Sequence, residues 1–166
     1  MSAPAPARAP GAADGTGIRF PPPFLFFAGL IAGYLLHRAW PVDRLPASVA
    51  PAARVIGWIL IAVWVALAAW AITTFRRAGT HVNPTRPATT VVTTGPFGVS
   101  RNPMYLSLTC GYLGATLAAD VLWPLVFLPV VLAALQHLII AREERYLDAR
   151  FGDEYRRYRA RVRRWL

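Results

Sequence analysis

Hydrophobic positions along this chain come in long unbroken runs, without the strict alternation of a half-buried strand. Four such runs, at about 24–40, 55–75, 103–119 and 121–141, are separated by polar or charged stretches. Crossing the hydrocarbon of a bilayer takes roughly 20 apolar residues, somewhat fewer where end residues snorkel. The second and fourth runs meet that length, and the first and third are shorter. In lipid only helices or closed barrels satisfy the backbone, and these runs lack the alternation of barrel strands. The pattern predicts an all-α integral membrane protein of about four transmembrane helices.

The connections add detail. Runs three and four meet at Asp120, which predicts a tight antiparallel hairpin. Residues 76–102 form a long polar loop, and loops of that length are uncommon without a function. Gly29 and Gly33 form a GxxxG pattern that would admit a neighbouring helix, although chance in a Gly- and Ala-rich run explains it as well. Residues 1–23, rich in Ala and Pro and closed by Pro21, Pro22 and Pro23, read as a disordered tail ahead of a membrane domain at 24–166. Past the fourth run, over 142–166, Leu147, Phe151, Tyr155, Tyr158, Val162 and Trp165 recur at spacings of four and three. That is an amphipathic helical stripe, interrupted at Gly152, with Asp153 placed to cap a second helix.

Charge changes the picture by its placement. The 166 residues suffice for one domain; 55% are hydrophobic and only 16% charged, against about 25% charged in ordinary soluble domains. The net charge is +10, and every basic residue is Arg. With four spans, the tail, the long loop and the C-terminal segment share one side and carry fifteen Arg against three on the other. The positive-inside rule then places both termini and the long loop in the cytoplasm. The basic C-terminal segment suits anionic headgroups, at about 1 kcal/mol per Arg, better than nucleic acid. Cys110 stands alone, and His37, His81 and His137 are scattered, so neither a disulfide framework nor a metal site is expected.

Two polar clusters sit at predicted helix ends, where such groups mark candidate sites. The first is the stretch around Thr94, Gly95, Pro96, Phe97, Ser100, Arg101, Asn102, Pro103, Met104 and Tyr105. Asn102 suits an N-cap and Pro103 a first helical position. A helix start also presents free N–H groups to an anion, and Arg101 adds a guanidinium fork. The second is Gln136, His137, Arg142, Glu143 and Glu144. Gln136 and Glu143 are seven apart, as are His137 and Glu144, so a continuous α-helix would align each pair on one face. The hairpin would bring both clusters to one membrane face and one pocket, roofed by the C-terminal segment.

The ordered pattern Gly95-Pro96-Phe97, Ser100-Arg101-Asn102-Pro103-Met104-Tyr105, then Glu143-Glu144, Leu147, Phe151-Gly152-Asp153-Glu154-Tyr155, Tyr158 and Val162 resembles the isoprenylcysteine carboxyl methyltransferase and phospholipid methyltransferase superfamily. The resemblance runs from about Thr80 to the C-terminus. It implies methyl transfer from S-adenosylmethionine, with cofactor contacts from Thr89, Thr90, Val91, Val92, Phe97, Asn102, Pro103, Met104, Tyr105 and Glu143. Relatives acting on prenylated cysteine carry His at the position of Asn102 and an Arg near Ile139. The chain is therefore more similar to bacterial-type members, which implies a bacterial inner membrane and another lipid or small hydrophobic acceptor. Such an acceptor would enter from the bilayer. Arg101 would place a carboxylate acceptor; Glu144 or His137 would take the proton from an amine, thiol or hydroxyl. Two other readings compete: an NADPH-dependent membrane reductase related to sterol reductases, and a non-catalytic membrane scaffold.

Overall fold

The structure is a computed structural model that describes residues 21–41, 45–80 and 87–166. Most of the proposed N-terminal tail lies outside them. Its last residues do not behave as tail: Pro22 is buried and Pro23 opens the first helix.

Among the described residues all regular structure is helical. Helix α1 is Pro23–Ala39, α2 is Ala50–Arg77, α3 is Pro103–Ala119 and α4 is Trp123–Ala134. A π-helical segment, Leu135–Ile140, carries α4 without a break into α5, Ala141–Phe151. Helix α6, Asp153–Arg161, follows, and a single 3₁₀ turn, Gly95–Gly98, stands before α3. Two helices are long and apolar enough to cross a membrane, Ala50–Arg77 and the continuous Trp123–Phe151. Helices α1 and α3 have 17 residues each, about 26 Å at 1.5 Å per residue, short of the ~30 Å hydrocarbon thickness. Only 11% of the most apolar window of α2 is buried. Its outward surface, including Val55, Trp58, Ile59, Val63 and Trp70, has the apolar character that lipid contact requires.

The boundaries follow local chemistry. Helix α2 starts five residues earlier than the apolar run because Ala50, Pro51, Ala52 and Ala53 suit a first turn. Asp120 ends α3 with a left-handed backbone (φ 54°), and its carboxylate accepts the Leu45 N–H at 3.3 Å. Arg142 does not end the fourth helix, since nothing there disfavours helix; the break waits for Gly152, at φ 50°. Gly152 itself takes the cap position of α6, so Asp153 is a first-turn residue that pairs with Arg156 at 2.9 Å and not the expected cap.

Packing departs from the expected hairpin. Helix α3 lies chiefly on α2, and α4 on α1, while the backbones of α3 and α4 meet only sparsely. Small residues explain the close pairs. A Cβ added to Gly57 would lie 2.5 Å from the backbone nitrogen of Ala118, and one on Gly33 would lie 2.5 Å from that of Pro124. The GxxxG of α1 is thus a working interface with α4, Gly29 facing Val131 and Tyr112. Between α3 and α4 stand large side chains instead. Tyr105 and Tyr112 pack with Phe26, Val131, Leu135, Ile139 and Ile140 to form the main core, and the Tyr112 hydroxyl donates to the Pro124 carbonyl at 2.7 Å.

Candidate functional site

The start of α3, the end of α2 and the beginning of α5 converge on one cavity of about 440 Å³, within the range of small-molecule sites. Its polar wall is Arg101, Asn102, Tyr105, Glu143 and Glu144; its apolar wall includes Trp64, Ala68, Phe75, Val92, Phe97 and Leu108. Residues 101–105 of the first cluster and Glu143 and Glu144 of the second, about forty residues apart in sequence, therefore share one chamber, and Tyr155 and Tyr158 of α6 close it from the C-terminal side.

The start of α3 is built by exchange with the C-terminus. Asn102 stands at the N-cap position, yet its side chain makes no capping bond. Its amide donates to the Arg164 carbonyl at 3.0 Å, while Ser100 Oγ accepts the Asn102 N–H at 3.1 Å. Pro103 has no N–H, and the Tyr105 and Leu106 N–H groups both return to the Asn102 carbonyl. The first turn thus ends in an uncapped, partially positive terminus at the cavity, with Met104 in the wall.

The acids have separate partners. Tyr105 donates its hydroxyl to Glu143 Oε2 at 2.8 Å. Among the described residues Tyr105 is the one hydrogen-bond partner of Glu143, which leaves Oε1 available to a ligand donor. Glu144 is fully engaged. Arg164 forks onto it, Nε to Oε1 at 2.9 Å and Nη2 to Oε2 at 2.7 Å, and Arg101 Nη1 reaches Oε1 at 2.9 Å. The Arg101 and Glu144 side chains are only 10% and 14% exposed, so this pairing is little screened by water. Arg101 Nη1 also donates to the Tyr155 hydroxyl at 3.3 Å, while its buried Nε has no hydrogen-bond partner among the described residues. Burial pushes the Tyr155 and Tyr158 phenols up, so both stay protonated at neutral pH. Tyr158 uses its proton on the Phe97 carbonyl at 2.7 Å. Hydrogen bonding to Glu144 raises Arg164, which keeps the fork charged.

Of the residues singled out from sequence, Thr90, Val91, Val92, Phe97, Arg101, Asn102, Pro103, Met104, Tyr105, Glu143 and Glu144 line the cavity. Thr89 does not. It ties the loop to itself, its N–H on Thr80 Oγ1 and its hydroxyl on the Gly79 carbonyl, both at 3.1 Å. His137 is exposed and also outside the lining. The reason is the π segment: its wider turns make seven residues fall roughly a quarter turn short of two turns, so His137 and Gln136 lose the face they would share with Glu144 and Glu143. His137→Ala is expected to leave affinity for S-adenosylhomocysteine within twofold of wild type by calorimetry; a tenfold loss would return His137 to the site. Glu144 reaches the cavity with both oxygens held by guanidinium groups, Oε1 by Arg164 and Arg101 and Oε2 by Arg164. Sequence reasoning missed Arg164, whose only signal was its place in a basic run, and Tyr146, whose hydroxyl accepts the Ala88 N–H at 3.1 Å.

A helical protein with membrane-length apolar helices and a mostly apolar chamber that has one polar wall is a membrane-associated enzyme architecture. The profile of the phospholipid methyltransferase family matches residues 52–154, and the chain belongs to that family. It is a methyltransferase that uses S-adenosylmethionine on a membrane-associated hydrophobic acceptor. The chain is also similar to an uncharacterized protein of Haemophilus influenzae, 46% identical over 65 residues that cover 38% of this chain and 100% of that protein. No solved structure matches.

The cavity suits the cofactor by its donor set. S-Adenosylmethionine carries hydroxyl and amino donors, a carboxylate and an aromatic base. The open oxygen of Glu143, the uncapped start of α3 beside Arg101, and the Phe75, Val92 and Phe97 surface answer these in turn. Among the described residues no group of three or more His, Cys, Asp or Glu side chains could hold a metal ion.

Proposed function

We propose that this chamber binds S-adenosylmethionine against Thr90–Val92, Phe97, the start of α3 and Glu143, and receives the acceptor along the apolar wall of α2 and α3. The observation that carries this is the single cavity shared by Arg101 and Glu143. When bound, the cofactor supplies a methyl group on a sulfonium centre. The residues of the chain contribute proximity and orientation. Glu143 accepts hydrogen bonds from the cofactor side, and Phe75 and Phe97, with ring centroids 4.6 Å apart, exclude water from the apolar end.

The charge balance points to an acceptor that is already anionic. Two guanidinium groups share the Glu144 carboxylate, so the Arg101 corner is positive while Glu143 supplies the balancing carboxylate on the cofactor side. Such a corner orients a carboxylate or phosphate on a lipid-like acceptor, and no general base is then required. The proposed topology has four spans, with both termini and the long loop in the cytoplasm. It rests on the Arg asymmetry, with α1 and α3 crossing as short helices, and agrees with the ends gathered at the chamber: the start of α1, the end of α2 and the start of α3.

Calorimetry of the detergent-purified protein with S-adenosylhomocysteine and, separately, with NADPH tests this reading. Binding of the former alone is expected, and NADPH binding alone would favour the reductase. Binding of neither would leave a scaffold. Incubation with radiolabelled S-adenosylmethionine and a bacterial lipid extract should then move label into the organic phase in an Arg101-dependent way.

A further inference from the structure

The last five residues, 162–166, do not trail away from the fold. They pass beneath the loop that leads into α3, where the Arg163 carbonyl accepts the Arg101 N–H at 2.9 Å. The Arg164 carbonyl accepts from Ser100 Oγ at 3.2 Å and from Asn102 Nδ2 at 3.0 Å. Trp165 packs against the main core. The Arg164 side chain turns the other way and forks onto Glu144, the same carboxylate that holds Arg101. One residue thus grips the α3 side of the chamber with its main chain and the α5 side with its side chain. The family match ends at residue 154, so it assigns nothing to this segment.

We infer that residues 162–166 act as a positioning strap, in which Arg164 works through Glu144 to hold Arg101 and Asn102 in the geometry the chamber needs. Arg164 does not line the cavity; it is a positioning residue. The physical requirement is specific. Arg101 is nearly buried, and a buried guanidinium without its carboxylate swings toward other partners or water. Glu144 alone would have three rotatable torsions with which to follow it. A bidentate fork removes that freedom, because both carboxylate oxygens are fixed in one plane. Main-chain bonds to residues 100–102 set the height of the α3 start relative to α5, which side-chain pairing alone cannot do.

The inference rests on the methyl-transfer reading, and its test separates the two. Affinity for S-adenosylhomocysteine is measured by calorimetry for wild type, Arg164→Ala, Glu144→Gln and the double variant, all as full-length protein in detergent. Arg164→Ala is expected to weaken binding about tenfold. In the Glu144→Gln background the same change is expected to add less than twofold, since a residue acting through Glu144 has nothing left to act on. A merely structural role would add its full effect in both backgrounds, and that additivity would overturn the strap, as would unchanged affinity in Arg164→Ala. If Arg164→Ala fails to fold, judged by lost helical circular dichroism, Arg164→Lys takes its place. It keeps a charge without the fork and should weaken binding about threefold, whereas wild-type affinity would show that the fork is not needed. A wild-type protein with no affinity for S-adenosylhomocysteine overturns the methyl-transfer reading and this inference with it; wild-type binding with additive variants overturns the strap alone.

Discussion

Glu143→Ala is expected to weaken S-adenosylhomocysteine binding by about 100-fold, the upper end of what a hydrogen bond to a charged group contributes. Glu143 has one oxygen on the Tyr105 hydroxyl at 2.8 Å and is part of the chamber wall. Alanine removes the ligand's acceptor and also strands the hydroxyl of Tyr105, a residue only 7% exposed. Glu143→Gln separates the two effects: it still accepts from Tyr105 but offers an amide in place of a carboxylate, and about a tenfold loss is expected. Calorimetry reads both values. An alanine variant that binds within threefold of wild type would remove Glu143 from the cofactor site.

Gly57→Val should be the most damaging single change in the membrane region. Any Cβ at Gly57 meets the Ala118 backbone nitrogen at 2.5 Å and the Gly114 carbonyl at 2.9 Å, and backbone cannot rotate away as a side chain can. Helices α2 and α3 would have to separate, at a cost of about 3 kcal/mol or more. Because Trp64, Ala68 and Phe75 of α2 wall the chamber, ligand affinity should fall together with the melting temperature in detergent. A melting temperature within two or three degrees of wild type would mean that the α2–α3 contact is far looser than the glycines indicate. Gly79, whose added Cβ would meet nothing but whose φ of 66° penalises any side chain, is the useful contrast: its cost is local strain, with no effect on helix spacing.

Much of the architecture was legible in the chain. Unbroken apolar runs located the helices, and the Pro103 start and the Asp120 break of α3 were visible as residue types with known backbone preferences. The first-turn extension of α2 and the run-on of α4 into α5 were not, because apolarity marks where lipid can be tolerated while helix persists wherever nothing opposes it. The Asn102 side chain, read as a cap, instead serves Arg164. A cap is a local choice, and a carbonyl sixty-two residues away outcompeted it.

Residue types alone determined that the protein is helical, belongs with membranes and carries two polar clusters, since those properties depend on local backbone chemistry and on solubility in lipid. Which residues meet was decided only by tertiary structure. A six-residue π segment turned Glu143 and Glu144 into the chamber and left His137 outside, because a small change in residues per turn accumulates into a different helix face. The C-terminal arginine run looked like a uniform membrane-facing charge; folding selected Arg164 from it, because only at that position do the main chain and the guanidinium reach both walls of the site at once.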